Sequence, residues 1–394
     1  MMRVPVTDYT LVSALGAGRA ATRSALAEGC SGLAQHAFET VALETWIGQV
    51  PGVDAVRLPA VLGDYDCRNN RLAQLGLDSD GFAASVNAAR ARYGADRIGV
   101  FLGTSTSGIL QTELAYRRRD PRSGALPGDF RYGQTHNTYS LADFVRNAFA
   151  LQGPSAVVST ACSSSAKVFG AASRMIGLGL IDAALVGGVD SLCLTTLYGF
   201  NSLELLATDI CRPWDAERHG LSLGEAAAFA LLEREGAQVK AWLLGVGESS
   251  DGHHMSSPHP QGAGAVDAMR AALADAGLEA AAVGYLNLHG TATPNNDAAE
   301  DLAVHQVFGA RVPCSSTKGA TGHTLGAAGA VEALIAMLAL EMQLIPGGLN
   351  RRVPDPELRC RYVDRSTPAR LRIVASNSFG FGGSNACLIF GAAA

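Results

Sequence analysis

The residues with chemical potential fall in four short segments. The stretch "VVSTACSSSAKVFGAASRMIGLGL" sets one thiol, Cys162, between an apolar run and a row of small residues. A strand feeding a helix there would put the thiol near the helix N-terminus, where free N–H groups and the dipole favour a thiolate. Small neighbours leave room for a substrate, yet buried free cysteines are common, so Cys162 is either a packed thiol or a nucleophile. In "NLHGTATPNNDAAE", His289 ends an apolar run, a suitable place for a site in an α/β protein, although a satisfied turn histidine gives the same pattern. Thr291 and Thr293 alternate, so both hydroxyls can face one side of an extended segment and donate to a carbonyl or phosphate, or merely cap the loop. In "CSSTKGATGHTLGAAGAVEA", Lys318 and His323 precede a helix too apolar to solvate them. A buried lysine needs a carboxylate, and Glu332 is the nearest candidate in sequence. In "SNSFGFGGSNACLIF", Phe379 and Phe381 are spaced by glycine, which allows close approach of a backbone N–H to a ligand; a hairpin with core aromatics is the plain alternative.

These segments need elements to hold them. "RIGVFLGTSTSG" is expected to be a strand running into a glycine-rich turn, "SAVVSTA" a buried strand, and "SSSAKVFGAASRMIGLG" the helix after it. "DAALVGGVDSL" and "AAAFALLER" complete a first half. Past Gly236 the pattern restarts with the strand "VKAWLLGVGESS", the amphipathic helix "AVDAMRAALADAGLEAAAV", the strand "VGYLNLHG", the apolar helix "GAAGAVEALIAMLALEMQ" and two C-terminal strands. Such alternation predicts α/β layers, with each half delivering a polar residue from a strand: Cys162 in the first, His289 in the second. The halves are expected at 1–238 and 239–394, tightly packed, since no Pro/Ser linker separates them.

The chain has 394 residues and a net charge of −5, which argues against a nucleic-acid binder. Its eight cysteines are scattered without a C-x-x-C pair, so neither a disulfide framework nor a cysteine-built zinc site is expected. His253, His254 and His259 in "DGHHMSSPHP" match no standard zinc spacing. The start "MMRVPVTDYTLVSALGAG" lacks a signal core, and no stretch holds the roughly 18 uninterrupted apolar residues of a membrane span, so a reducing cytoplasm is the expected setting.

Taken in order, "TACSSS", "CRPWDAERHGLSLGEAA", "HGTATPNND", "STKGATGHTLGAAGAVEA" and "NSFGFGGSNA" are far more specific than any one of them. The series resembles the β-ketoacyl-acyl-carrier-protein synthases, the elongating condensing enzymes of fatty acid and polyketide assembly in the thiolase-like superfamily. The resemblance runs from about residue 10 to the end. It implies a duplicated α/β/α/β/α architecture and a decarboxylative Claisen condensation of malonyl-acyl carrier protein with a chain held on cysteine.

Residue by residue, the resemblance makes Cys162 the acyl-accepting nucleophile and His289 and His323 the pair that promotes decarboxylation. Lys318 is the buttressing lysine with Glu332 behind it, and Glu300 is an acidic residue after the first histidine motif. Thr291 and Thr293 contact the pantetheine arm, and Phe379 and Phe381 complete the substrate side, with Phe381 as a gate. The backbone N–H groups of Cys162 and Phe381 form the oxyanion hole. Arg68 and Arg71 in "YDCRNNRL" lie where basic residues meet the acidic carrier. No metal or free cofactor is expected, because phosphopantetheine arrives on the carrier. A homodimer, or a heterodimer with a ketosynthase-like subunit, is implied.

Departures include "VTDYTLVSALG" in the first strand, His219 and Ala226, and Lys167 where other members often carry a histidine. They suggest a specialised relative, with aryl-polyene-type clusters as one setting. Chain-length-factor subunits lack the cysteine, which this chain keeps. A thiolase-like acyl-CoA enzyme is the nearest rival, but thiolases usually carry a second active-site cysteine where this chain has "FGFGGSNA". A cysteine hydrolase would need a water path to the thiol.

Overall fold

The computed structural model describes residues 3–35, 37–236 and 238–393. The first half supplies strands β1 (Val4–Ser13), β2 (Ile98–Gly103), β3 (Ser155–Val158), β4 (Ala183–Asp190) and β5 (Ala226–Glu233). The second supplies β6 (Ala241–Ser250), β7 (Tyr285–Asn287), β8 (Pro313–Ser315), β9 (Ile373–Gly380) and β10 (Ser384–Ala392). In space the first set runs β3-β2-β4-β5-β1 and the second β8-β7-β9-β10-β6, the same permutation. The directions repeat as well. β2 lies parallel to β3 and β4, and β7 lies parallel to β8 and β9, while the remaining neighbours within each set are antiparallel. A short antiparallel pairing of β1 with β6, Val4 opposite Leu243, joins the two sets.

The helices form three layers around these strands. Helices α3 (Ser164–Gly177) and α6 (Ala328–Met342) pack against both sets and against each other. Helices α1 (Arg68–Leu77) and α2 (Ser140–Ala148) cover the outer face of the first set, and α4 (Ala263–Ala276) and α5 (Pro294–Phe308) that of the second. The result is the α/β/α/β/α duplication expected of a thiolase-like fold. Strand β5 shows how the sequence dictates it: Ala226, Ala228 and Ala230 face the middle layer, while Ala227, Phe229 and Leu231 face the outer helices. Small residues let the middle layer close. A Cβ on Gly329 would lie 2.6 Å from the Ala166 backbone nitrogen, so α6 crosses α3 at a distance only glycine permits.

The segment Leu325–Met342 is long and apolar enough to cross a membrane, yet 89% of it is buried inside the protein. Helix α6 is instead the core of the middle layer, buried without a break from Ala328 to Leu340, Glu332 included.

Two expectations need correcting. "SAVVSTA" is not a buried strand: β3 is an edge strand whose Ala156 is exposed and whose Ser155, Val157 and Val158 are half-buried. The duplication also does not match Cys162 with His289. Cys162 follows the third strand of its half, as Lys318–His323 does in the other, whereas His289 corresponds to Thr104–Ser107 after β2.

Candidate active site

Cys162 sits between β3 and α3, just before Ser163, the residue that caps the helix. Ala161 takes a left-handed conformation, φ 53°, uncommon for a residue with a side chain and typical of a turn held by its surroundings. Burial pushes the Cys162 thiol up to about 12, and Lys318 and the Phe381 N–H offset part of that rise. The N–H groups at the start of α3 act in the same direction as that offset. Gly380 is equally tight against this elbow, since a Cβ there would lie 2.9 Å from the Thr160 carbonyl oxygen and 3.1 Å from the Cys162 nitrogen.

His323 Nε2 lies 3.0 Å from Cys162 Sγ. Its backbone is clamped by the "GLSLGEAA" segment: His323 N–H donates to Ser222 O at 2.8 Å, and Gly224 N–H donates to His323 O at 3.0 Å. The His289 ring stands edge-on to His323, with centroids 5.3 Å apart at 85°. Leu325 N–H donates to His323 Nδ1 at 3.1 Å, and Lys318 Nζ reaches His289 Nδ1 at 3.3 Å. With both Nδ1 atoms accepting, each neutral ring carries its proton on Nε2 and presents it to the cavity. Burial, then the Lys318 charge, holds both imidazoles well below their ordinary range, so they are neutral.

Lys318 uses all three of its protons. Nζ donates to Glu332 Oε1, to the His289 carbonyl and to His289 Nδ1. Burial raises Glu332 to about 7 and Lys318 counteracts it. Glu300 accepts the His289 and Gly290 N–H groups, both at 2.8 Å, and Asn377 Nδ2 at 3.1 Å. It too is raised to about 7 by burial. Thr291 and Thr293 do face one side, their hydroxyl oxygens 2.8 Å apart. Phe379 packs on His289, while Phe381 stacks on Phe200 with centroids 5.7 Å apart. A cavity of about 380 Å³ opens over Cys162, His289, His323, Thr291, Thr293 and Phe381.

Cys162, His289 and His323 bring potential metal-ligating atoms within 4.8 Å of one another. The hydrogen bonds at Nδ1 leave N–H groups, not lone pairs, aimed at that centre, which suits an oxyanion better than a cation. The loop histidines pair only loosely, His253 and His259 with ring centroids 5.1 Å apart.

The sequence matches the family described as "Beta-ketoacyl synthase, N-terminal domain" over residues 77–237 and the corresponding C-terminal domain over 240–352. It is 33% identical to "3-oxoacyl-[acyl-carrier-protein] synthase 2" of Vibrio cholerae serotype O1, covering 98% of both chains. The chain belongs to the β-ketoacyl synthase family. It is a condensing enzyme, a transferase. Similar proteins include "Nodulation protein E" of Rhizobium meliloti, 37% identical over 87% of this chain and 83% of that protein. Among solved structures, the ketosynthase (ApeO) in complex with its chain length factor (ApeC) from Xenorhabdus doucetiae aligns with a TM-score of 0.90 at 37% identity, covering 99% of this chain and 98% of that one. The ishigamide ketosynthase/chain length factor aligns at 0.91 with 28% identity over 100% and 99% of the two chains.

Of the two arginines expected to meet the carrier in this β-ketoacyl synthase, one does not reach the surface. Arg68 is buried, with Nη2 on Glu225 and Nη1 2.7 Å from Asp54. Arg71 engages Asp66 through both nitrogens of its fork, at 2.5 and 2.6 Å. One group escaped the sequence reading. Asp190, at the end of β4, accepts Ser105 N–H, Thr106 N–H, the Thr104 and Thr106 hydroxyls and Ala327 N–H. A lone polar residue closing the run "DAALVGGVDSL" was the only available signal.

Proposed function

We propose that this enzyme joins an acyl chain held on Cys162 to a malonyl unit delivered by acyl carrier protein, with loss of CO2. The observation that carries the reading is the pair of Nε2–H groups aimed into the cavity beside the Cys162 sulfur. In the first half-reaction the Cys162 thiolate attacks the acyl thioester. The Cys162 and Phe381 N–H groups hold the tetrahedral oxyanion, each such donor contributing about 3 kcal/mol in comparable acyl transfers. The proton given up by Cys162 passes to the departing carrier sulfur, which leaves as the thiol. In the second, the malonyl thioester oxygen accepts from His289 and His323. The C–CO2 bond breaks, its electrons form the enolate, and the enolate carbon attacks the acyl-Cys162 carbonyl, returning the thiolate. Thr291 and Thr293 line the pantetheine approach, and Phe379 and Phe381 bound the substrate side. Lys318, Glu332 and Glu300 hold the histidines in place.

The working form is taken to be a heterodimer with a chain-length-factor-like subunit, this chain supplying Cys162. Two similar ketosynthase structures with such partners support it. Mixed with such a subunit, the chain should run as a heterodimer on gel filtration; a homodimer that persists in its presence would exclude it. For carrier docking Arg71 is the candidate, since its side chain still reaches the surface beside Asp66, whereas Arg68 is buried. Charge reversal at Arg71 should weaken carrier binding in a salt-dependent manner. We take 1–238 and 239–394 as the two halves, a division the repeated strand order supports. A reducing cytoplasm fits the free cysteines.

The test is incubation with malonyl-carrier protein and a panel of acyl-carrier proteins. CO2 release, a β-ketoacyl product and an acyl adduct on Cys162 are expected, the adduct absent in Cys162→Ala. Condensation without CO2 release would favour a thiolase-like acyl-CoA enzyme instead.

A further inference from the structure

The turn Phe381–Gly383 has two kinds of attachment. Its tip is held by single contacts: Gly382 N–H donates to Met255 O at 2.7 Å, and the Phe381 ring stacks on Phe200. Its base is held differently. Ser384, paired with Gly380 across the turn and with Ser250 on β6, is gripped through its hydroxyl. Lys167 Nζ donates to Ser384 Oγ at 2.6 Å, and Ser163 Oγ lies 3.1 Å from the same atom. Both residues belong to the helix start that carries Cys162, since Ser163 follows it directly and Lys167 sits within the first turns of α3. Gly380, which leads into the turn, approaches the Cys162 backbone so closely that a Cβ there would lie 3.1 Å from its nitrogen, and the Phe381 N–H lowers the Cys162 thiol. The path from Cys162 to the helix, to Ser384, to the turn and back to the Cys162 backbone is therefore closed.

Lys167 is half-buried and forms no ion pair among the described residues. Glu248, whose charge acts on it, is engaged by Arg174 at 3.1 Å. Lys167 does not line the cavity over Cys162. Its hydrogen-bonded reach toward the turn runs through one hydroxyl, Ser384 Oγ.

We propose that Lys167 is a positioning residue for acyl transfer: by holding Ser384 it fixes the base of the Phe381–Gly383 turn, and so the placement of the Phe381 N–H, while the tip keeps only its two single contacts. The inference rests on the reading of Phe381 as an oxyanion donor. A misplaced donor costs less than a missing one, because misplacement by an ångström already lowers rates by up to about 100-fold and a tether lets the turn shift by less.

The experiment is single-turnover acyl transfer to Cys162 from acyl-carrier protein, followed by intact-protein mass spectrometry. It compares wild type, Lys167→Met, Lys167→Arg, Ser384→Ala and the Lys167→Met/Ser384→Ala pair. Lys167→Met should slow transfer about tenfold at saturating substrate, with half-saturation within about twofold of wild type. Lys167→Arg should recover most of the rate, and the double variant should be no slower than the slower single variant. Transfer at the wild-type rate in Lys167→Met, multiplied effects in the double variant, or no recovery with arginine would overturn the proposal. Failure of the underlying function looks different, because wild-type Cys162 would then take no acyl group at all.

Discussion

The two halves of this β-ketoacyl synthase share a strand permutation and use it for opposite chemistry. In both, the loop after the second strand has its backbone N–H groups held by a buried carboxylate, Asp190 for Ser105 and Thr106, Glu300 for His289 and Gly290. In both, the third strand exits into a helix of the middle layer. The first half delivers a thiol from that exit, whereas the second delivers Lys318 and His323. The difference lies in the side chains at matching positions, not in the scaffold. Duplication sets two such exits side by side in the same buried layer, and the contact of His323 with Cys162 is what that arrangement makes available.

That comparison can be broken at each support. Lys318→Met should act most strongly on stability, because it leaves Glu332 buried without its cation. Breaking such a pair costs about 3–5 kcal/mol, read as a lower denaturation midpoint. Asp190→Asn should cost less, roughly 1–3 kcal/mol, since an amide turns an N–H toward donors that need an acceptor. If it cost nothing, the parallel between Asp190 and Glu300 would fail. The smallest expected change is in imidazole NMR. Because both histidines titrate well below their ordinary range, lowering the pH through 6.5 should leave them neutral and in the Nε2–H tautomer. An inflection near 6.5 would mean that burial and Lys318 do not control them.

Much of this was legible in the sequence because each chemical group sits inside a local pattern. The thiol before a small-residue helix, the histidine after an apolar run and the Lys318–Glu332 pair spanning one turn and a helix start are all short-range signals. What was not legible depends on long-range pairing. Arg68 looked like a surface charge because Glu225, its buried partner, lies 157 residues away. "SAVVSTA" looked buried because an apolar run does not reveal which strand takes the edge. Asp190 and Phe200 gain their meaning only from the elements that fold onto them.

The central claim is a division of labour, with the thiol in one half taking the chain and the histidines of the other driving decarboxylation. His289 separates the two best, because among the described residues its ring hydrogen-bonds to Lys318, whereas the His323 ring hydrogen-bonds to the sulfur itself. In His289→Ala, acyl transfer to Cys162 and CO2 release from malonyl-carrier protein are measured on the same preparation. The account predicts an acyl adduct at close to the wild-type rate with CO2 release reduced by about 100-fold or more. Equal loss of both would contradict it.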